Sequence, residues 1–146
     1  AAGRSLSFVL VRVRFTVVSE VETKVVRPGL SMPGVLLRVE GLAVALAATG
    51  AYVYLGGPWW LFLVLLLAPD LSMVGYLANA RTGSVTYNTV HNYLLPGALL
   101  AYGLLAGAET AALVALIWIA HIGMDRLLGY GLKYPTEFKD THLGHV

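Results

Sequence analysis

The sequence predicts an all-α membrane protein, a four-transmembrane-helix antiparallel bundle with its N- and C-termini on the cytoplasmic side. Three observations predict it. Of the 146 residues, 58% are hydrophobic and 12% charged, about half the charged share of an ordinary soluble domain, and mean hydropathy is +0.73. Residues 35–55, 58–78, 84–106 and 108–128 form four apolar runs, each close to the roughly 20 residues that cross the hydrocarbon core of a bilayer. The 10 Lys and Arg residues lie before or within the start of the first run, in the middle connection, and at or beyond the end of the last. By the positive-inside rule those three places face the cytoplasm.

Residues 1–31 read differently. Val9 to Val18 alternates apolar residues with Arg12, Arg14 and Thr16, a strand-like period of two. The apolar stretch is too short and too interrupted by arginine for a signal peptide. Met32 is the expected natural start, which makes 1–31 a non-native or disordered leader. The alternative is a cytoplasmic arm whose basic face lies on anionic lipid.

Short connections join the four runs: Gly56-Gly57-Pro58, then Asn79 to Gly83, then Gly107 to Thr110. Their Gly and Pro residues punctuate turns, and turns this tight make neighbouring helices antiparallel. Tyr52, Tyr54, Trp59 and Trp60 gather at the first turn, as aromatics do at a headgroup interface. Gly41, Ala45 and Ala48 form a small-residue stripe on helix 1, and Gly103 with Gly107 a GxxxG pair on helix 3; both are expected to allow close helix approach. Pro69 and Pro96 fall inside helices 2 and 3, where each removes a backbone donor and kinks its helix.

Charged groups in lipid cost about 2.5–3.5 kcal/mol or more at the bilayer centre, so their retention has a reason. Counting along helices at 1.5 Å per residue from the cytoplasmic end, Glu40 lies roughly 7 Å deep, Asp70 and His91 roughly 10–12 Å, and His121 and Asp125 roughly 5–11 Å. One slab of the cytoplasmic half therefore holds ionisable groups from all four helices. His121 and Asp125 are spaced i,i+4 and share a face, as do Asn88 and His91 at i,i+3. Asp70, His91, His121 and Asp125 supply mixed oxygen and nitrogen ligands suited to a divalent metal such as Zn, Mn or Fe. Asn88, Arg126 and His142 are candidate accessory residues. Competing structural roles are an ion pair of Glu40 with Arg38 or Arg81, a register-fixing Asp70–Arg126 pair, and helix cross-linking by Asn88 and Asn92. Residues 129–146 are expected to fold as a cytoplasmic C-terminal cap through Tyr130, Tyr134 and Phe138.

Three function classes fit. One is a metal-dependent intramembrane hydrolase with Glu40 as general base and Asp70 and Asp125 as further catalytic carboxylates. A second is a binding module, such as a b-type haem between His91 and His121. The third is a structural or proton-relay subunit, possible in a homo-oligomer. No cysteine is present, which excludes disulfides and thiolate chemistry. A net charge of +2 gives no case for nucleic acid. The lipid bilayer is the expected partner, and the substrate is left open.

The segments LRVEGL, WWLF, APDLSMVGY, YNxxHNY and HIGMDRLLGYGLKYPTEFKDTHLG together resemble a family of small bacterial integral membrane proteins of unknown function, DUF4260. The resemblance runs from about Leu37 to Gly144 and is most specific in helix 4 and the tail. It implies the multi-pass architecture and a bacterial inner membrane, and it brings no activity with it.

Overall fold

A computed structural model describes residues 31–146. The strand-like alternation at 9–18 and the leader or arm that carries it lie outside the described residues. The described residues are helical, and their only strand-like pairing is one isolated antiparallel bridge in the tail. Three helical segments, Met32–Tyr54, Trp59–Leu77 and Glu109–Leu128, are long and apolar enough to cross a membrane.

Helix α1 (Met32–Tyr54) starts earlier than the apolar run suggested. Ser31 Oγ accepts the Gly34 N–H at 3.1 Å, and Pro33 sits in the first turn, where its missing donor costs nothing. Helix α2 (Trp59–Leu66) continues into a 3-10 helix over Ala68–Leu77. Pro69 lies at the changeover, so the kink expected there is present as a change of winding. Runs of 3-10 helix beyond a few residues are uncommon; here Thr86 Oγ1 donates to Ser72 O at 2.9 Å and supports the freed backbone.

The middle connection is shorter than predicted. Asn79 Oδ1 caps the Thr82 N–H at 2.8 Å, so helix α3 (Ala80–Val90) begins at once. The expected third span, 84–106, is not one helix: it breaks over 91–93 and resumes as α4 (Leu94–Leu105). Pro96 explains the break, having no N–H for the carbonyl of residue 92 and a ring that crowds it. Helix α5 (Glu109–Leu128) is the centre of the molecule, packed on α1, α4 and α2.

Small residues set the α1–α5 contact. The stripe Gly41, Ala45 and Ala48 is buried, and a Cβ built on Gly41 would lie 2.5 Å from Arg126 Cβ and 2.8 Å from Gly123 O. In lipid, where apolar burial drives little, such approach is the main source of packing energy. Gly103 acts likewise against Ala112, but Gly107 does not. With φ +66 and nothing within 4 Å of a built Cβ, Gly107 turns the chain after α4 in the left-handed region that favours glycine. Large apolar side chains cover the outside, including Leu63, Val64, Leu67 and Leu71, and Trp59 is 74% exposed. An outer surface of this kind suits hydrocarbon.

The tail returns over one end of the bundle. Gly129, at φ +91, ends α5 in the left-handed region, with Tyr130 N–H closing on Asp125 O at 2.7 Å. The chain then folds back on itself: His142 N–H donates to Leu132 O at 3.0 Å and Tyr134 N–H to Asp140 O at 2.9 Å. Leu143 is buried as its anchor.

Candidate metal centre

Four side chains from three elements meet near the tail end of the bundle. Asp70 comes from the 3-10 helix, His91 from the break after α3, and His121 and Asp125 from one face of α5. One ligand atom from each lies within 4.8 Å of all the others. His91 Nε2 is 3.1 Å from His121 Nε2, 3.4 Å from Asp70 Oδ1 and 3.6 Å from Asp125 Oδ2. His121 Nε2 is 3.5 and 3.8 Å from the same two oxygens. Ligands bound tetrahedrally at 2.0–2.1 Å stand roughly 3.3 Å apart, a spacing close to the shorter of these separations.

The break in the third span is what delivers His91, and side-chain donors meet most of the carbonyls it frees. Interrupting a helix leaves carbonyls without their i+4 donors. Asn92 Nδ2 donates to Asn88 O and Thr89 O at 2.8 Å each. Trp118 Nε1 donates to Val90 O at 2.8 Å, and Arg126 Nη2 to His91 O at 3.2 Å. Asn92 Oδ1 in turn accepts the Leu94 N–H at 2.9 Å and starts α4. Four of the freed carbonyls, those of residues 88, 89, 90 and 91, thus accept from three side chains, the kind of support that broken helices in membranes require.

Tyr87, one turn before His91, organises the site twice. Its carbonyl lies 3.0 Å from His91 Nδ1; a carbonyl only accepts, so Nδ1 carries the proton and the Nε2 lone pair faces the cluster. Its ring stacks on the His91 ring at 3.7 Å between centroids, and its hydroxyl donates to Asp125 Oδ2 at 2.8 Å. Both histidine rings are buried, whereas the Asp70 and Asp125 side chains are 32% and 16% exposed. The carboxylate side is therefore the open one. It faces a cavity of about 240 Å3 lined by Asp70, Met73, Tyr87, Asp125, Tyr130, Lys133 and Phe138.

Lys133 closes that cavity from the tail. It is 6% exposed, and its Nζ lies 3.4 Å from the Phe138 ring centroid, 4.6 Å from Tyr87 and 5.4 Å from Tyr76 while donating to Phe138 O at 2.9 Å. Burial pushes its ammonium below the usual lysine range, opposed by the charges of Asp125 and Asp70. Asn88 clamps its backbone, with Oδ1 accepting Lys133 N–H at 2.7 Å and Nδ2 donating to Lys133 O at 2.8 Å.

Glu40, expected as the general base, is not in this group. It is exposed on α1, because the neighbouring Gly41 is the residue turned to α5, and one residue along a helix is a rotation of about 100°. The Asp70–Arg126 pair considered from sequence is replaced by other partners: Asp70 faces the histidines, and Arg126 donates to carbonyls of His91 and Tyr130. His142 holds the tail rather than the centre, its Nδ1 accepting the Leu132 N–H at 2.8 Å. A haem between the histidines does not fit, since axial ligands on opposite faces of an iron at about 2 Å each stand about 4 Å apart, beyond the 3.1 Å found. Tyr87 and Lys133 were missed from sequence; the only signals were a tyrosine one turn before His91 and a lysine set among aromatics.

Residues 34–146 match the model of a family described as a domain of unknown function, DUF4260. The chain belongs to that family. The DUF4260 match takes in the four cluster residues, the break and the tail. Comparison with curated proteins and with solved structures gives no match.

Proposed function

We propose that this DUF4260 protein is a multi-pass protein of the cytoplasmic membrane that binds one divalent metal through Asp70, His91, His121 and Asp125 and uses it for hydrolysis. The carrying observation is the convergence of two imidazole nitrogens and two carboxylate oxygens on one point. Four electron-rich groups so close repel one another unless a proton or a metal cation lies among them, and a metal satisfies all four at once. The donor set suits Zn, Mn or Fe. The distribution of Lys and Arg supports a cytoplasmic position for the tail end, because the two turns at the opposite end, 55–58 and 106–108, carry none.

A metal held by these four residues would supply an acidified water at neutral pH. The residues do the remainder. His91 and His121 hold the buried side, Tyr87 orients Asp125, and Asp70, the most exposed of the four and part of the cavity wall, is placed to take a proton from water. Glu40 has no part in this scheme.

Metal analysis of detergent-purified protein should find one divalent ion per chain, and His121→Ala should hold less than about a tenth of that. Equal metal in wild type and variant would sink the assignment. Hydrolysis of a fluorogenic ester or phosphodiester amphiphile should stop on chelation and return with the metal.

A further inference from the structure

The surroundings of the centre are asymmetric. On the tail side lies the cavity between Asp70, Asp125 and Lys133. On the side away from the tail lies an apolar cleft of about 210 Å3, lined by Leu65, Pro69, Val90, Val114, Ile117 and Trp118 among others. Pro69 and Val90, in its wall, directly precede Asp70 and His91, and Ile117 is one turn from His121, so three wall residues of the cleft are chain neighbours of cluster residues. Polar and apolar compartments thus flank one site.

Charge says what the polar compartment takes. Two aspartates balance a divalent ion, and Lys133 adds one positive charge on the opposite wall, so the loaded cavity is net positive by one. Three aromatic faces favour the charged form of the lysine. A second cavity of about 350 Å3 shares Tyr130, Lys133 and Phe138 as walls and adds Arg38 and Lys139. An anion entering from the tail end meets basic groups on its way to the centre.

We propose that the site takes an anionic amphiphile, with a phosphate group between the metal and Lys133 and an apolar chain in the Leu65–Trp118 cleft. This rests on the metal reading above. Lys133 is a binding residue for the anionic group, not a metal ligand. The same phosphate chemistry occurs in a lipid headgroup and in free phosphate, and the apolar cleft favours the first.

Calorimetry on metal-loaded protein in neutral detergent separates the two, with dodecyl phosphate, inorganic phosphate and dodecyltrimethylammonium as probes. Dodecyl phosphate should bind at least about tenfold more tightly than inorganic phosphate, and the cationic amphiphile should not compete. Lys133→Met should weaken dodecyl phosphate by about tenfold or more, as loss of a charge-assisted hydrogen bond does, with metal content unchanged. Val114→Trp, which fills the cleft, should bring dodecyl phosphate down to the level of inorganic phosphate. Undiminished binding in Lys133→Met, or equal binding of the cationic probe, overturns the proposal even where metal is bound. If inorganic phosphate binds as tightly as dodecyl phosphate, the lipid source is overturned. Lys133-dependent binding without bound metal would support the anion site and refute the metal reading alone.

Discussion

His91 and His121 face each other at 3.1 Å, yet the chain presents them by opposite means. His121 stands in the unbroken, central α5, with Asp125 one turn on. His91 stands in a break, held by Asn92, Trp118 and Arg126 around it and by the Tyr87 carbonyl beneath it. The difference extends to the rings. His91 Nδ1 has a partner that fixes its tautomer, whereas His121 Nδ1 is buried without a hydrogen-bond partner among the described residues. One ring is preset by a hydrogen bond, and the other is oriented by packing. In the proposed metal site, where each histidine usually has a partner on its outer nitrogen, this pair would combine a rigid and an adaptable ligand.

The largest effect expected from breaking this contrast is at Asn92. Asn92→Ala removes the donor to Asn88 O and Thr89 O and the acceptor for Leu94 N–H, and should lower stability by on the order of 2 kcal/mol while displacing His91. Thermal unfolding in detergent, read beside metal titration, checks it; an unchanged midpoint would mean that Pro96 alone makes the break. Tyr87→Phe is the next largest. It keeps the ring stacked on His91 but removes the hydrogen bond to Asp125, and should weaken metal affinity by about tenfold. Affinity equal to wild type would show that α5 orients Asp125 unaided, as it does His121.

The smallest effect lies in the tail. Burial, and then the Arg126 charge, hold His142 below its ordinary value of 6.5. The folded state therefore binds fewer protons than the unfolded one between the two values. The contribution of His142 to stability is present above pH 6.5 and is lost as pH falls through that value toward the folded one. A proton on Nδ1 would also oppose the Leu132 N–H that it now accepts. Hydrogen exchange at Leu132, corrected for intrinsic rates, should become faster below that pH in wild type but show no such step in His142→Asn. Constant protection across the range would remove His142 as the cause.

Much of the site was legible in the sequence because helical rise is constant. Counting depth from the ends of the runs puts Asp70, His91, His121 and Asp125 in one slab, and the i,i+4 spacing puts two of them on one face. Depth carries no information about rotation, which is why Glu40 looked like a member and is not. Its neighbour Gly41 held the missing information, since the small face of α1 had to meet α5. The break at 91–93 was half legible. Pro96 marked a kink, but that the kink would become a full interruption depended on donors from Trp118 and Arg126, 28 and 35 residues along the chain from the carbonyls they meet. Lys133 was read only as a topology marker. Its burial depends on a clamp from Asn88 and on rings from three separate segments, contacts that no local pattern encodes.

The 3-10 helix at Ala68–Leu77 also bears on length. Each residue of 3-10 helix advances the chain about 2.0 Å, against about 1.5 Å in an α-helix. The 8 α-helical residues of α2 and the 10 that follow therefore reach about 32 Å, where α winding alone would reach about 27 Å. The hydrocarbon core is about 30 Å thick. The tighter winding that turns Asp70, Met73 and Tyr76 to one edge, three residues apart, thus also stretches this segment to bilayer thickness. Rewinding it as an α-helix would both swing Asp70 away from the histidines and leave the segment short of the far interface, a mismatch that bilayers resist by thinning or by tilting the protein.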